Sequence, residues 1–247
     1  MIRKTKDIVV YENFLTKEES EKVIKVLDKS AEVGTLSWTP ISFYESYSSV
    51  LPQDNDPILE EFELNPTFFS DLKNKIINAV ASVHNLNPKV ISQVGYHTQK
   101  WEPGAYARKH SDNTDEHGNT GPFERSRYAA FLYLNEDFDG GVLMFPDQDL
   151  SIVPQTGLLA AFDGGFNNMH EVSLITKGVR YTIGSFWDDR EESDYPQEIR
   201  DEWALEMKKI RDAQKVEKEE WQELIKKGYK IDKSGNKYKI EELDKNE

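Results

Sequence analysis

The 247-residue sequence contains no cysteine. Disulfides, thiolate zinc sites, iron–sulfur clusters and cysteine nucleophiles are therefore excluded, and any protein-held metal must sit on His, Asp and Glu. No apolar stretch approaches the roughly 20 residues that a bilayer-spanning helix requires. The opening MIRKTKDIVVYENF lacks the apolar run and small-residue cleavage site of a signal peptide. A cytoplasmic protein with no membrane partner is expected. Positive charge is in deficit, with 31 Lys+Arg against 45 Asp+Glu and a net charge of −14. Such a chain repels phosphate backbones, which argues against nucleic acid as a partner. Histidine is scarce at five residues, so the search for metal ligands is short. Against these absences stand 37% hydrophobic and 31% charged residues and a mean hydropathy of −0.70. The chain is long enough to bury a sizeable core beneath a wet surface.

Residues 7–14 read as a strand and its exit. A helix follows, with Thr16 and Glu19 in a capping-box pattern and Val23, Ile24 and Leu27 at helical spacing. Residues 33–66 show no period and are expected to be irregular. The spacing predicts a second helix from about Thr67 to Val83, with Phe68, Leu72, Ile76, Val80 and Val83 on one stripe. From 89 to 187 the texture becomes β: VISQVGYHT, AYARKH, RYAAFLYL, GVLMF, GLLAAF, HEV and VRYTIGSFW, separated by turn residues. Seven or eight short strands without intervening helices predict a sandwich or jelly-roll barrel, with the two early helices packed outside one sheet. Residues 1–190 are expected to form this mainly β domain with its N-terminal helices, and 191–247 a C-terminal helical appendage. In the appendage Trp203, Met207 and Ile210 share a helical face, and Tyr229–Ile231 and Tyr238–Ile240 flank a candidate hairpin turn.

His84 and His97 have no partner pattern and read as structural or surface residues. His110 and Asp112 stand two apart at the end of a β-type run, so their side chains point to the same side. Alone this pattern also fits a solvated loop. His170 lies far along the chain, where a later strand of a barrel can return beside an earlier one. Two imidazoles and one carboxylate on one face make a triad that leaves open positions on Fe(II). Arg180 follows on a strand whose inward face also carries Thr182, Gly184 and Phe186. An arginine pointing into a barrel calls for an anion, and a bidentate carboxylate suits its fork. A carboxylate of the protein itself is the alternative. Gly184 removes side-chain bulk where a ligand would lie.

These segments, WEPGAYARKHSDN, RYAAFLYLNEDFDGGVLMFP and HEVSLITKGVRYTIGSFW, resemble the prolyl 4-hydroxylase-like branch of the Fe(II)/2-oxoglutarate dioxygenases. The resemblance covers about residues 8–187 and includes the entry DIVVYENFLTKEES. It implies a double-stranded β-helix, or jelly-roll barrel, that holds Fe(II) on His110, Asp112 and His170. It implies Arg180 and Tyr133 as binders of 2-oxoglutarate, O2 as co-substrate and ascorbate as reductant. Phe131, Ala129, Trp101 and Tyr106 become pocket candidates. Collagen-type prolyl 4-hydroxylases usually carry lysine where this chain has Arg180, while lysyl hydroxylases and oxygen-sensing prolyl hydroxylases carry arginine. Halogenating relatives lack the carboxylate that Asp112 supplies, so hydroxylation is the implied outcome.

The expected function is hydroxylation of a prolyl residue in a peptide or protein. A lysyl residue or a free amino acid is the alternative substrate. A non-catalytic jelly-roll binding module is the alternative of a different class. His117 belongs to a polar loop at the expected site mouth. There Asp115, Glu116, Glu124, Glu136, Asp137 and Asp139 would favour a substrate with basic flanks. A monomer and a homodimer are both compatible with the sequence.

Overall fold

The computed structural model describes residues 1–41, 46–119, 123–201, 204–205, 208, 227, 229–231 and 237–239. In chain order the elements are β1 (Ile2–Arg3), β2 (Ile8–Tyr11), α1 (Lys17–Glu32), β3 (Thr39–Ile41), β4 (Ser46–Ser49), α2 (Pro57–Glu61) and α3 (Phe68–Ala81). They continue with β5 (Ser92–Trp101), β6 (Ala107–His110), β7 (Tyr128–Tyr133), β8 (Leu143–Phe145), β9 (Leu150–Ile152), β10 (Leu159–Asp163), β11 (His170–Val172) and β12 (Arg180–Asp188). The last two are β13 (Tyr229–Ile231) and β14 (Lys237–Lys239).

Local chemistry sets the helices. Thr16 Oγ1 accepts the Glu19 N–H at 3.1 Å while Glu19 Oε2 accepts the Thr16 N–H at 2.8 Å, which closes the capping box of α1. Its Val23, Val26 and Leu27 are fully buried. α3 buries Phe69, Leu72, Ile76 and Val80. The expected stripe is therefore entered at Phe69 rather than Phe68, which packs edge-on against it at 5.4 Å. Residues 33–66 are not irregular throughout. They hold β3, β4 and α2, the last capped by Asp56 with Pro57 at its first position. The strand sequences TPI and SYSS show no apolar alternation because both lie at the margin of a sheet.

The order β1-β2-β10-β7-β12-β5-β4-β3 makes an eight-stranded sheet, and β6-β11-β8-β9 a four-stranded one. Side chains alternate across each strand. On β7 and β10, Ala130, Leu132, Leu159 and Ala161 join Val23, Leu27, Leu72 and Ile76 in one core beneath the helices. Their neighbours Ala129, Tyr133, Ala160 and Phe162 join Leu143, Phe145, Ile152 and Val172 in a second core between the sheets. Strands buried on both faces read as near-continuous apolar runs, as RYAAFLYL and GLLAAF do. The result is a mainly antiparallel double-stranded β-helix with helices over the larger sheet.

Residues Met1–Glu191 form one compact unit and Glu192–Glu247 another. In the second, β13 and β14 pair antiparallel with Tyr229 opposite Lys239, and residues 197–201 are helical. Trp203, Met207 and Ile210 lie outside the described residues. Among the described residues no helix is long and apolar enough to cross a membrane.

Candidate metal centre

His110 ends β6 and His170 begins β11, and the two are register partners with ring centroids 4.4 Å apart. The next register pair is Val172 with Ala107, so the ladder carries a bulge on β6. The bulge leaves both Arg108 and Lys109 exposed and turns the Arg108 carbonyl toward His110 Nδ1, 2.7 Å away. The 3-10 turn Phe166–Asn168 does the same for His170, whose Nδ1 lies 3.0 Å from the Asn168 carbonyl. A carbonyl can only accept, so each Nδ1 carries the proton. Each Nε2 is left with its lone pair facing the same point.

Asp112 completes the group. Its Oδ1 stands 3.7 Å from His110 Nε2 and 3.7 Å from His170 Nε2. These separations are too long for hydrogen bonds, yet all three ligand atoms lie within 4.8 Å of one another. Its backbone N–H donates to the Gly164 carbonyl at 2.8 Å, while Oδ2 is buried with no hydrogen-bond partner. Burial, helped by the neighbouring His110, holds the His170 pKa down at about 3. Burial also lowers that of His110. Burial pushes the Asp112 carboxyl up to about 8, with Asp163 adding to the rise. Two neutral imidazoles and a carboxyl that needs a positive neighbour to ionise fit a divalent cation. The N,N,O donor set suits Fe(II).

Beside these residues a narrow recess of about 20 Å3 is bounded by Gln99, Trp101, Phe131, Leu143, Val172 and Arg180. Arg180 is 2% exposed. Its guanidinium lies over the Trp101 ring at 4.6 Å and the Tyr133 ring at 5.1 Å. Among the described residues no carboxylate pairs with it, and its Nε and Nη1 and the Tyr133 hydroxyl have no hydrogen-bond partner. Burial lowers the Arg180 pKa and raises that of Tyr133, and each group opposes the other's shift. A buried cation flanked by rings and a phenol suits a carboxylate ligand. Gly141 packs beside this group, since a Cβ there would meet Ile175 Cδ1 at 2.6 Å, Phe138 Cε2 at 2.8 Å and Arg180 Cδ at 3.2 Å.

The remaining candidates divide. Trp101 and Phe131 line the recess, whereas Ala129 is core. Tyr106 does not share the recess. It precedes β6 and the bulge, its hydroxyl accepts from Arg108 at 3.3 Å, and it lines an outer groove with Met144 and Leu174. The space over Gly184 is already taken, because a Cβ there would meet Phe131 at 3.2 Å and Gln99 at 3.4 Å. Gln99 is the residue that sequence reasoning passed over. Its Oε1 accepts from Trp101 Nε1 and from Thr182 Oγ1, each at 3.4 Å. Its Nε2 donates to His97 Nε2 at 3.2 Å. The available signal was its position two residues before Trp101 on the same strand face. His84 binds Asp7 at 3.0 Å and Tyr128 at 3.2 Å, away from the triad. His117 is exposed in a loop organised by Asp115, whose carboxylate takes the N–H groups of His117 and Asn119.

Comparison with known proteins places this geometry. The family described as the 2OG-Fe(II) oxygenase superfamily matches residues 96–188. His110, Asp112, Tyr133, His170 and Arg180 all fall within the matched segment. The chain is 31% identical over 110 residues to the 2-oxoglutarate and iron-dependent oxygenase domain-containing protein 3 of Xenopus tropicalis, covering 42% of this chain and 32% of that protein. It is 39% identical over 61 residues to prolyl 3-hydroxylase 2 of Homo sapiens, covering 23% of this chain. That match spans only 9% of the relative's length. Among solved structures the fold resembles that of a Pseudomonas putida prolyl-4-hydroxylase, with a TM-score of 0.54, 18% identity, and 75% and 94% of the two chains covered. It also resembles a Trichoplax adhaerens prolyl hydroxylase in complex with a hypoxia inducible factor peptide fragment. There the TM-score is 0.53 and the identity 15%, with 81% and 87% of the chains covered.

Proposed function

We propose that this chain is a 2-oxoglutarate-dependent dioxygenase that hydroxylates a prolyl residue in a peptide or protein. The observation that carries this reading is the pairing of two features in one recess. The nitrogen and oxygen donors of His110, Asp112 and His170 converge at one place, and the buried Arg180, whose Nε and Nη1 lack a hydrogen-bond partner, bounds the same space. A dicarboxylate that chelates a metal at one end and needs a cation at the other suits that arrangement. Prolyl hydroxylases among the relatives and structural neighbours support the substrate class, and a peptide complex of one neighbour supports a peptide substrate.

Fe(II) with 2-oxoglutarate and O2 supplies the oxidation that puts a hydroxyl on an unactivated carbon, yielding succinate and CO2. The chain's own residues set the conditions. The carbonyls of Arg108 and Asn168 hold both imidazoles in the tautomer that presents Nε2. Arg180 and Tyr133 clamp the distal carboxylate, the guanidinium as a fork and the phenol as a single donor. Trp101, Phe131, Leu143 and Val172 keep water out of the recess, so the clamp acts in a low-dielectric space.

The test is incubation with Fe(II), 2-oxoglutarate, O2 and ascorbate and a panel of proline- and lysine-containing peptides. The expected result is succinate formation coupled to a gain of about 16 Da, one oxygen atom, on a prolyl residue. Modification of lysine, or of free amino acids alone, would replace the substrate assignment. Absence of succinate under every condition would leave a binding module.

A further inference from the structure

The backbone after β10 touches two of the three donors at once. Asp163, the last residue of β10, accepts the Gly165 N–H on Oδ1 at 2.8 Å. The Gly164 carbonyl accepts the Asp112 N–H at 2.8 Å, and the Gly164 N–H donates to the Arg127 carbonyl at 2.8 Å. The Gly165 carbonyl accepts the Asn168 N–H at 2.9 Å, and the Asn168 carbonyl takes the His170 Nδ1 proton. Asn168 is itself buried, with Oδ1 accepting from Gln148 Nε2 at 2.6 Å. The turn from Asp163 to Asn168 therefore binds Asp112 and His170 to one scaffold.

Gly164 is where that turn presses hardest on the triad. A Cβ placed there would lie 2.8 Å from Asp112 Oδ2, 2.9 Å from Asp112 Cβ and 2.9 Å from the Ser126 carbonyl oxygen. Real Cβ atoms do not come so close to other heavy atoms. The Ser126 oxygen is main chain and Asp112 Cβ is one bond from it, so no side-chain rotation relieves either contact. The next glycine differs. A Cβ at Gly165 would meet Asp163 Oδ1 at 2.9 Å and then nothing nearer than Asn113 Oδ1 at 3.8 Å, and both are side-chain ends. Gly164 does not have a positive φ, so its requirement concerns space and not backbone freedom.

We propose that Gly164 is a positioning residue of the metal centre, and that the missing side chain is what lets Asp112 hold one carboxylate oxygen at equal distance from both imidazoles. The inference rests on reading the triad as a metal site. Any side chain at 164 drives the Asp112 carboxylate away from residue 164 and out of line with His110 and His170. Backbone contacts of this kind act on metal affinity as the outer partners of ligating side chains do, with effects of about 10–100-fold.

Two measurements test it without turnover. In the first, Mn(II) is titrated calorimetrically into wild-type protein, Gly164→Ala and Gly165→Ala. The expected result is an affinity about 10–100-fold weaker for Gly164→Ala and unchanged for Gly165→Ala. Equal losses in both, or none in Gly164→Ala, would overturn the proposal. In the second, metal-free thermal unfolding is followed for Gly164→Ala, Asp112→Gly and the double variant. A conflict between the new Cβ and Asp112 predicts that Gly164→Ala destabilises the wild-type background more than the background with glycine at 112, where only the Ser126 contact remains. The same destabilisation in both backgrounds would assign the effect to Ser126 and overturn the proposal. A wild-type protein that binds no Mn(II) would remove the metal reading, and the unfolding cycle would still decide the relation between Gly164 and Asp112.

Discussion

His110 and His170 are register partners, and each donates its Nδ1 proton to the main-chain carbonyl two residues behind it, that of Arg108 and that of Asn168. One carbonyl is exposed by a bulge and the other by a 3-10 turn, so different local structures reach the same tautomer. The first prediction follows from the resulting donor set. Asp112→Asn keeps the shape of the third ligand and removes its charge. It should abolish succinate formation while leaving weak Mn(II) binding through the two imidazoles. Calorimetric titration beside a succinate assay checks this, and wild-type turnover in the variant would remove Asp112 from the site.

A second prediction concerns the buried guanidinium. Arg180 is a buried cation with no carboxylate partner among the described residues. Replacing such a charge with an apolar group of similar volume is often neutral or stabilising. Arg180→Met should raise the thermal stability of the ligand-free protein by on the order of 1 kcal/mol and weaken 2-oxoglutarate by about 100-fold. Mn(II) affinity should stay unchanged. Tyr133→Phe should weaken 2-oxoglutarate by about tenfold, the value of one hydrogen bond to a charged group. Unfolding scans with and without 2-oxoglutarate read both effects. Undiminished affinity in Arg180→Met would send the search for the clamp elsewhere.

His97 gives a pH-dependent signature away from the triad. Its ring stacks on Phe186 at 6.0 Å, its Nε2 accepts from Gln99, and burial lowers its pKa to about 4. Between that value and the ordinary value near 6.5 the unfolded chain binds the proton and the folded chain does not. Stability should therefore fall as pH drops from about 6.5 toward 4. His97→Gln should flatten that part of the profile. Urea unfolding across the window, for both proteins, provides the comparison, and identical slopes would show that His97 titrates normally.

Substrate charge yields a fourth test. Glu136, Asp137 and Asp139 follow β7 at its Tyr133 end, whereas the Asp163–Gly164 turn pairs with its Tyr128 end. The acidic group imagined at one mouth is thus divided, and Glu136 and Asp137 serve as acceptors for Thr156 and Asn135. Asp115, Glu116 and Glu124 stay in the segment that follows Asp112, although Asp115 also accepts from its own loop and Glu124 lies 3.5 Å from Arg190 Nη1. On these we propose a preference for peptides with Lys or Arg flanks, visible in kcat/KM at low salt and shrinking as the screening length falls to about 10 Å at 0.1 M. Equal kcat/KM for basic and acidic flanks at low salt would remove the preference and leave the chemistry untouched.

Much of the barrel was legible because its strands are buried on both faces, so RYAAFLYL and GLLAAF announce themselves as apolar runs bounded by turns. The edges were not. β3, β4 and β9 are three or four residues long and carry few apolar side chains to count. For the site, His-x-Asp and the distant histidine and arginine could be read from spacing, since period-two alternation predicts which side chains share a face. Tyr106 was misplaced because alternation fails across a bulge that no composition rule marks. Gln99 escaped because its role depends on Trp101, Thr182 and His97 meeting it in space. Gly164 escaped because its contribution is a volume left empty, which a sequence shows only as another glycine.

β6 borders the four-stranded sheet and is bonded along one side only, to β11. An edge strand of four residues interrupted by a bulge is the segment of such a sheet that opens first. A metal held by His110 from this strand and His170 from its neighbour would rivet the margin to the sheet. Amide hydrogen exchange across 107–112 should then slow when Mn(II) or Fe(II) binds, while the amides of β7 and β10, inside the larger sheet, exchange at the same rate with or without the ion.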